Sequence, residues 1–335
     1  MKNRIIFGLI VLGLAVLFIV GIGLGSVYIP FSTVVDYLFG NPIPETHYSI
    51  ISKIRMPRNI TALISGAGLS LSGLLLQTLF RNPLAGPSVL GISSGSSLGV
   101  AIVLLAGGSM SGVIGTGSVV LGAILGALAV VLIISAISMK FEDVTLVLIA
   151  GMMLGFLSSS MVSVLAFFSN SERLKPFIHW GFGSFGRLNE YQIPSLLLLL
   201  ILAIIAALLL YKPLNALLPG EQFAGSIGID VKKVRIIIIV ITGVITGLIT
   251  AFVGPIGFIG LVVPQVVKIL FKTNHHSVTI PGSLLLGAFI ALACDIISRV
   301  PGQDFSLPLN AVTAMFGAPV VLFVLFRSRF KRNLS

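Results

Sequence analysis

Apolar runs separated by short polar or Pro/Gly-containing stretches follow one another along nearly the whole chain. Most runs are close to the roughly 20 residues that a helix needs to cross about 30 Å of hydrocarbon. Because backbone amides in lipid must be bonded within their own segment, continuous runs of this kind predict membrane-spanning helices and not barrel strands. The ten predicted helices lie at residues 5–25, 57–80, 88–106, 114–138, 143–168, 193–211, 234–253, 257–271, 278–298 and 308–327.

The composition agrees with this pattern. Hydrophobic residues make up 56% of the 335 positions, charged residues only 9%, and the mean hydropathy is +1.12. We therefore predict an all-α, polytopic membrane protein in which residues 1–335 form one transmembrane domain. Lys2 and Arg4 precede the first run, as they would in a signal peptide. That run is too long for a signal core, so a retained helix is favoured over a cleaved one.

The charged residues predict the orientation of the helices. An even number of spans puts both termini on one side of the membrane, and an excess of Lys and Arg marks the cytoplasmic side. With cytoplasmic termini, 14 of the 21 Lys and Arg residues and four of the ten Asp and Glu residues face inward. The net charge of +11 is then mainly a signal of topology, and no nucleic-acid partner is needed to explain it.

The sequence contains no motif for an enzyme or a metal site. The single cysteine, Cys294, excludes an internal disulfide, and no Cys or His cluster has metal-ligand spacing. The four histidines lie near membrane boundaries or in loops, where we expect polar surface residues rather than haem or iron ligands. They are His47, His179, His275 and His276.

The source of energy for transport is also constrained by the sequence. No GxxxxGK[ST] phosphate loop occurs. Apart from Asp295 and Arg299, the predicted spans contain almost no ionisable residues, which proton or sodium coupling requires. Energy from another polypeptide is therefore favoured, and a gradient-driven transporter or channel is the alternative.

Two polar segments interrupt the apolar pattern. In residues 81–99, Asn82 and Pro83 end the second helix, and glycines at four-residue spacing predict close approach of helix backbones. Residues 212–235 form the one long inner loop, in which LNALL and EQFAGSIG predict two short helices broken at Pro219 and Gly220.

Six motifs follow one another along the chain: RMPR at 55–58, RNPLAGPSVLGISSGSS at 81–97, LPGEQFAGSIGI at 218–229, GPIGFIGLVVPQ at 254–265, ACDIISR at 293–299 and the final LPLNAVTAMFGAPVVLFVL. In this order they resemble the FecCD family, the permease subunits of bacterial ATP-binding-cassette (ABC) importers for ferric siderophores, haem and cobalamin. The resemblance implies a cobalamin-permease-like fold of ten helices in the cytoplasmic membrane. It also implies a dimer of permeases, two cytoplasmic ATPases that hold ATP and Mg²⁺, and an external substrate-binding protein.

The resemblance further implies roles for charged residues. Arg55, Arg58 and Arg299 would dock acidic side chains of the binding protein, since guanidinium groups suit paired contacts with carboxylates. The alternative is that they anchor the second and ninth helices. Asp295, four residues before Arg299, would orient that arginine through an ion pair.

By the same resemblance, residues 212–235 form the coupling loop that contacts the ATPase. Its contact candidates are Glu221, Ala224 and Gly228, with a plain connector, in which Glu221 only caps a helix, as the alternative. The inner gate and the pathway are assigned to Asn82, Leu84, Glu142, Asp143, Val144, Met152, Met153 and Phe156. For these residues the alternatives are solvated carboxylates and ordinary helix packing.

The expected cargo is a ferric siderophore that passes with its metal already ligated, and haem or cobalamin is the alternative. The chain itself is expected to bind no cofactor. One departure from the family is Gln265, where many relatives have His after VVP. Whether the partner permease is a second copy or a related chain stays open.

Overall fold

The computed structural model describes residues 2–25, 27–106, 116–141, 143–188, 190–299 and 306–332, and only the backbone of residues 116 and 324–332. The described residues form helices and connecting turns, with no strand among them, so the predicted all-α class is confirmed. The α-helices are α1 Lys2–Gly23, α2 Phe31–Phe39, α3 Glu45–Ile50, α4 Met56–Leu79, α5 Ile92–Ala101, α6 Thr116–Lys140, α7 Val144–Phe167, α8 Ser171–Gly181, α9 Ile193–Leu209, α10 Tyr211–Leu217, α11 Glu221–Ser226, α12 Val231–Val253, α13 Ile259–Phe271, α14 His276–Arg299 and α15 Leu309–Arg332. Two π-helical turns, Ile51–Arg55 and Ile102–Ala106, adjoin α4 and α5, and a 3₁₀ turn covers Phe185–Arg187.

Each of the ten predicted runs lies on one of these helices. Within the described ranges, six helices are long and apolar enough to cross a membrane: α1, the continuous helix Glu45–Leu79, α6, α7, α12 and α14. The pair α9 and α10, bent by 57°, makes a seventh if it is counted as one span. The remaining three apolar segments are shorter, at Ile92–Ala106, Ile259–Phe271 and Leu309–Phe323. A total of ten spans therefore stays a prediction.

Helix α4 is the centre of the bundle, and nearly all of its residues are buried. It packs against α14, α12, α13 and α9. A Cβ atom at Gly66 would lie 2.2 Å from the carbonyl oxygen of Gly287, and one at Gly73 would lie 1.6 Å from that of Gly260. The helix backbones therefore touch directly at these points, as small residues allow in membrane bundles.

Helices α5 and α6 meet in the same way. A Cβ at Gly99 would lie 1.9 Å from the carbonyl oxygen of Gly122, and one at Gly126 would lie 2.0 Å from that of Gly95. The close approach predicted from the glycine spacing in residues 81–99 is thus confirmed.

The bundle has two ends that carry the candidate sites. We call the end that carries α10 and α11 the loop end, and the end that carries α2 and α3 the cap end. The two short helices predicted in residues 212–235 are present as α10 and α11, and Pro219 and Gly220 separate them. Helices α4 and α14 run between the two ends, so each contributes residues to both.

Replacing Gly73 by Ala is expected to prevent normal packing of α4, because the added methyl group would overlap the backbone of Gly260. We expect a loss of about 3 kcal/mol of stability. The measurement is the yield of monodisperse protein in detergent and its midpoint of thermal unfolding. Gly8→Ala is the matched control, since a Cβ at Gly8 has no atom within 4 Å. Equal behaviour of the two variants would contradict the packing argument.

Candidate functional site

A buried cluster of charges lies at the cap end, where Asp295 is bound by two arginines. Arg58 Nη2 lies 2.9 Å from Asp295 Oδ1, and Arg299 Nη2 lies 2.6 Å from Asp295 Oδ2. The carboxylate side chain is only 1% exposed. The ion pair expected between Asp295 and Arg299 is therefore confirmed, and Arg58 adds a link from α4 to α14.

The arginines of this end also hold the last turn of α1. Arg55 Nη1 donates to the carbonyl oxygens of Ile22 and Gly23 at 2.6 and 2.7 Å, and Nη2 donates to that of Val27. Arg299 Nη1 donates to the carbonyl oxygen of Gly21 at 3.1 Å. The last carbonyls of a helix have no partner within it, so these guanidinium groups supply the missing donors.

The predicted docking role of the three arginines has to be weighed against this geometry. Arg55 is 4% exposed and the side chain of Arg299 is 8% exposed, whereas the side chain of Arg58 is 19% exposed. All three hold helices together, as in the anchoring alternative. Docking stays a prediction, with Arg58 as the most accessible of the three. The nearby Lys53 is exposed, and the sequence analysis did not single it out.

At the loop end, Arg235 connects three elements. Its Nη2 donates to both carboxylate oxygens of Glu221 at 2.9 Å, and its Nη1 donates to the carbonyl oxygen of Phe141 at 3.1 Å. Arg235 is 3% exposed. Glu221, predicted as an ATPase contact, is thus bound within the subunit to Arg235 of α12, which also holds the turn between α6 and α7.

The surface of the coupling loop differs from the predicted one. Ala224 is fully buried within the isolated subunit, and its role as an ATPase contact stays a prediction. Gly228 is exposed, with a positive φ of 85°. The large exposed side chains of this loop are Phe223 and Ile227, at 49% and 55%. The sequence analysis missed these two residues, because the same loop contains apolar residues that are buried, such as Leu214 and Leu217.

Asp230 ends the coupling loop by capping α12. Its Oδ1 accepts the backbone N–H of Lys233 at 3.0 Å, and the side chain of Lys233 pairs with Oδ2. These interactions, the backbone hydrogen bond first, lower the pKa of the Asp230 carboxyl. The cap therefore stays ionised at neutral pH.

The two segments of the predicted inner gate are turns that end or begin helices. Asn82 Oδ1 accepts the backbone N–H of Leu84 at 2.9 Å, which closes the turn after α4. Asp143 Oδ1 accepts the backbone N–H of Thr145 at 2.8 Å and caps α7, directly before Val144. Glu142 lies outside the described residues. Their gate role stays a prediction.

The predicted pathway helix, α7, presents a largely uncovered face. Met153 is 52% and Phe156 66% exposed, while Met152 is half-buried. Next to this face, a cavity of about 260 Å³ opens between α5, α7 and α8, lined by Ser93, Ser94, Ser97, Ser159, Val162, Phe177 and Pro255. In the part of the chain that the structure describes, no group of three or more His, Cys, Asp or Glu residues is placed to hold a metal ion.

Two polar residues that the sequence analysis left without a role are structural. Gln265 Nε2 donates to Gln77 Oε1 at 2.5 Å, which joins α13 to α4. His276, expected to be polar surface, is instead 1% exposed and hydrogen-bonded to side chains of α4 and α10. That expectation was wrong because the N-terminus of α14 is covered by α10, which only the tertiary structure reveals.

Comparisons with known proteins match nearly the whole bundle. The model of the FecCD transport family matches residues 13–327. Vitamin B12 import system permease proteins BtuC of Salmonella paratyphi A and Salmonella typhimurium are 37% identical over 277 residues, covering 82% of this chain and 83% of theirs. A solved structure described as an inward-facing conformation of a metal-chelate type ABC transporter has a TM-score of 0.85 and 27% identity. The match covers 97% of this chain and 99% of the chain in that structure.

Asp295→Asn is expected to destabilise the cap end, because two largely buried guanidinium groups would lose their counter-ion. Breaking a buried ion pair from one side costs about 3–5 kcal/mol. The measurement is the midpoint of thermal unfolding in detergent. Glu45→Gln, which removes an exposed carboxylate at the same end, is the control and is expected to leave the midpoint unchanged. Equal midpoints for the Asp295→Asn variant and the parent would show that the cluster does not stabilise the fold.

Proposed function

Because the chain belongs to the FecCD transport family and is therefore a multi-pass permease of an ABC importer, we propose that it moves a ferric siderophore across the bacterial cytoplasmic membrane by alternating access. The observation that carries the proposal is the family match over residues 13–327, together with a metal-chelate type transporter of the same fold. A gradient-driven transporter is not favoured, because the family is one of ABC importers.

The chemistry of the pathway supports passage of a whole chelate. The exposed face of α7 is mainly apolar, with Ser159, Ser160 and Ser163 also exposed, and the adjoining cavity adds three serine hydroxyls from α5. Such a surface suits a bulky ligand whose metal is already enclosed, since it offers soft apolar contacts and hydroxyl hydrogen bonds. Cobalamin is the second candidate cargo, because relatives 37% identical to this chain are named as vitamin B12 permeases.

Exposed apolar faces support a dimer of permeases. Among the described residues, Met153 and Phe156 of α7 are 52% and 66% exposed, and Met315 and Phe316 of α15 are 73% and 53% exposed. A continuous apolar surface on a permease faces either lipid or another subunit. We propose that a second permease subunit covers part of these faces and that the cargo passes between the two.

The energy is proposed to come from separate ATPases. The sequence carries no phosphate-binding loop. The loop end, with the exposed side chains of Phe223 and Ile227, is the surface that would contact them from the cytoplasm. This orientation agrees with the distribution of Lys and Arg, which favours cytoplasmic termini.

The cap end would then face the external binding protein. Arg58 is the accessible arginine of the buried cluster, and it is the one we propose to make direct contact with acidic residues. Arg55 and Arg299 would act by holding Arg58 and the end of α1 in place.

The proposed function predicts that the purified chain hydrolyses no ATP and that assembly with its ATPase and binding-protein partners in liposomes restores ATP-dependent uptake. Uptake of a ferric siderophore and of cobalamin is measured separately with radiolabelled cargo. Siderophore uptake alone supports the first cargo, and cobalamin uptake alone supports the second. Hydrolysis by the isolated chain, or uptake that survives ATP depletion and stops when the proton gradient collapses, would contradict the proposal.

Phe223→Ser is expected to weaken binding of the ATPase subunits about tenfold or more, because an exposed phenyl ring that becomes buried in an interface contributes about 1.5–3 kcal/mol. The midpoint of thermal unfolding of the isolated chain should not change, since the ring is half exposed. Affinity is measured by titration of labelled ATPase onto the permease in nanodiscs. Phe39→Ser, at the cap end, is the matched control. If both variants bind the ATPase like the parent, α11 is not the contact surface.

A further inference from the structure

We propose that two separate side-chain bridges, one through His276 and one through Arg235, connect the coupling loop to different parts of the inner gate. The inference rests on the proposed function, because it presumes that the loop contacts an ATPase. It also rests on the prediction from the family resemblance that the turns at residues 82–84 and 143–144 form the inner gate. Its new content is the route within this subunit and the division of that route into two.

The first bridge joins α10 to the ends of α14 and α4. Asn215 Oδ1 accepts the backbone N–H of His276 at 2.9 Å, and His276 Nδ1 lies 2.9 Å from the same oxygen. On the other side of the ring, Nε2 lies 2.8 Å from Thr78 Oγ1. Thr78 is on the last turn of α4, directly before the turn that holds Asn82 and Leu84.

The second bridge joins α11 to the turn before α7. Glu221, the first residue of α11, receives two hydrogen bonds from Arg235, and the same guanidinium group donates to the carbonyl oxygen of Phe141. Phe141 lies two residues before Asp143, the cap of α7. Movement of α11 would therefore reach the second gate segment without passing through α4.

Burial strengthens the inner part of each bridge, while Asn215 and Glu221 at the loop side are partly exposed. His276 is 1% exposed, Thr78 is 4% exposed and Arg235 is 3% exposed. Water cannot readily replace a partner in such surroundings, so separating the bonded groups would leave a buried polar or charged atom without its partner. Each bridge is expected to move as a unit when the loop moves.

The two loop helices are not one continuous helix. Helix α10 ends at Leu217 and α11 begins at Glu221, with Pro219 and Gly220 between them. Gly220 has φ 141° and ψ 163°, a conformation that glycine adopts readily and other residues do not. The two helices contact each other, so the proposed division into two routes rests on the separate polar contacts of His276 and Arg235 and not on a lack of contact between α10 and α11.

The test measures the two gate segments one at a time. The single cysteine is first removed by the substitution Cys294→Ala. Either Leu84→Cys or Val144→Cys is then introduced into this variant. The full complex with its ATPase partner is placed in nanodiscs. The rate of modification by a membrane-impermeant maleimide is compared between the nucleotide-free complex and the complex trapped with ATP and vanadate.

We expect the rate at each cysteine to change about fivefold or more on trapping in the otherwise unaltered protein. His276→Gln should reduce the change at position 84 to less than about twofold and leave the change at position 144. Arg235→Gln should reduce the change at position 144 to less than about twofold and leave the change at position 84. The matched controls are His275→Gln and Lys232→Gln, which alter exposed neighbours on either bridge and should leave both changes intact.

Variants at the loop side of each bridge keep the test decisive if a buried substitution prevents folding. Asn215→Ala removes the acceptor of the first bridge and Glu221→Gln weakens the second, and neither side chain lies in the core. They should reproduce the two selective losses. If the variants alter both positions together, or neither, the inference is overturned while the proposed function stands. If the unaltered complex shows no change at either position, these two turns are not the gate and the inference is overturned, while ATP-dependent uptake still tests the proposed function separately.

Discussion

The rest of the structure depends on the direct contact of helix backbones around α4. Gly66 meets Gly287 and Gly73 meets Gly260 with no space for a side chain between them. Lipid chains are as apolar as the residues they would replace, so helices in a membrane gain little from apolar contact alone and depend on close packing. With α4 held in this way against α14 and α13, the polar residues at its two ends are brought to fixed positions.

The two ends use buried polar groups differently. At the cap end, one carboxylate, Asp295, holds Arg58 and Arg299, and Arg299 also donates to a backbone carbonyl of α1. This arrangement ties three long helices together. At the loop end, the buried side chains of Arg235 and His276 instead reach into short helices that are separated by Pro219 and Gly220. The cap end therefore joins long helices to one another, whereas the loop end joins long helices to two short ones.

The sequence identified residue types at the candidate sites more reliably than it identified their surroundings. Asp295 and Arg299 were paired from their spacing on one helix, because four residues bring side chains to the same face. Other features depend on residues far apart in the chain. They are the pairing of Arg58 with Asp295, the burial of Ala224 and the contact between His276 and Asn215. No periodicity within one segment encodes such contacts. Phe223 and Ile227 were missed for the same reason, since exposure depends on what the rest of the chain covers.

The sequence by itself determined the all-α class, the position of each long apolar helix, the two short helices of the coupling loop and the close packing at residues 81–99. These properties follow from local rules: the length of an apolar run, the conformational limits of Pro and Gly, and the absence of a side chain at glycine. Only the tertiary structure decided which charged side chains are buried, which helices they join and which apolar faces stay uncovered. Burial and pairing arise when distant segments pack together, so the solvent exposure of a residue such as His276 is a property of the assembled bundle.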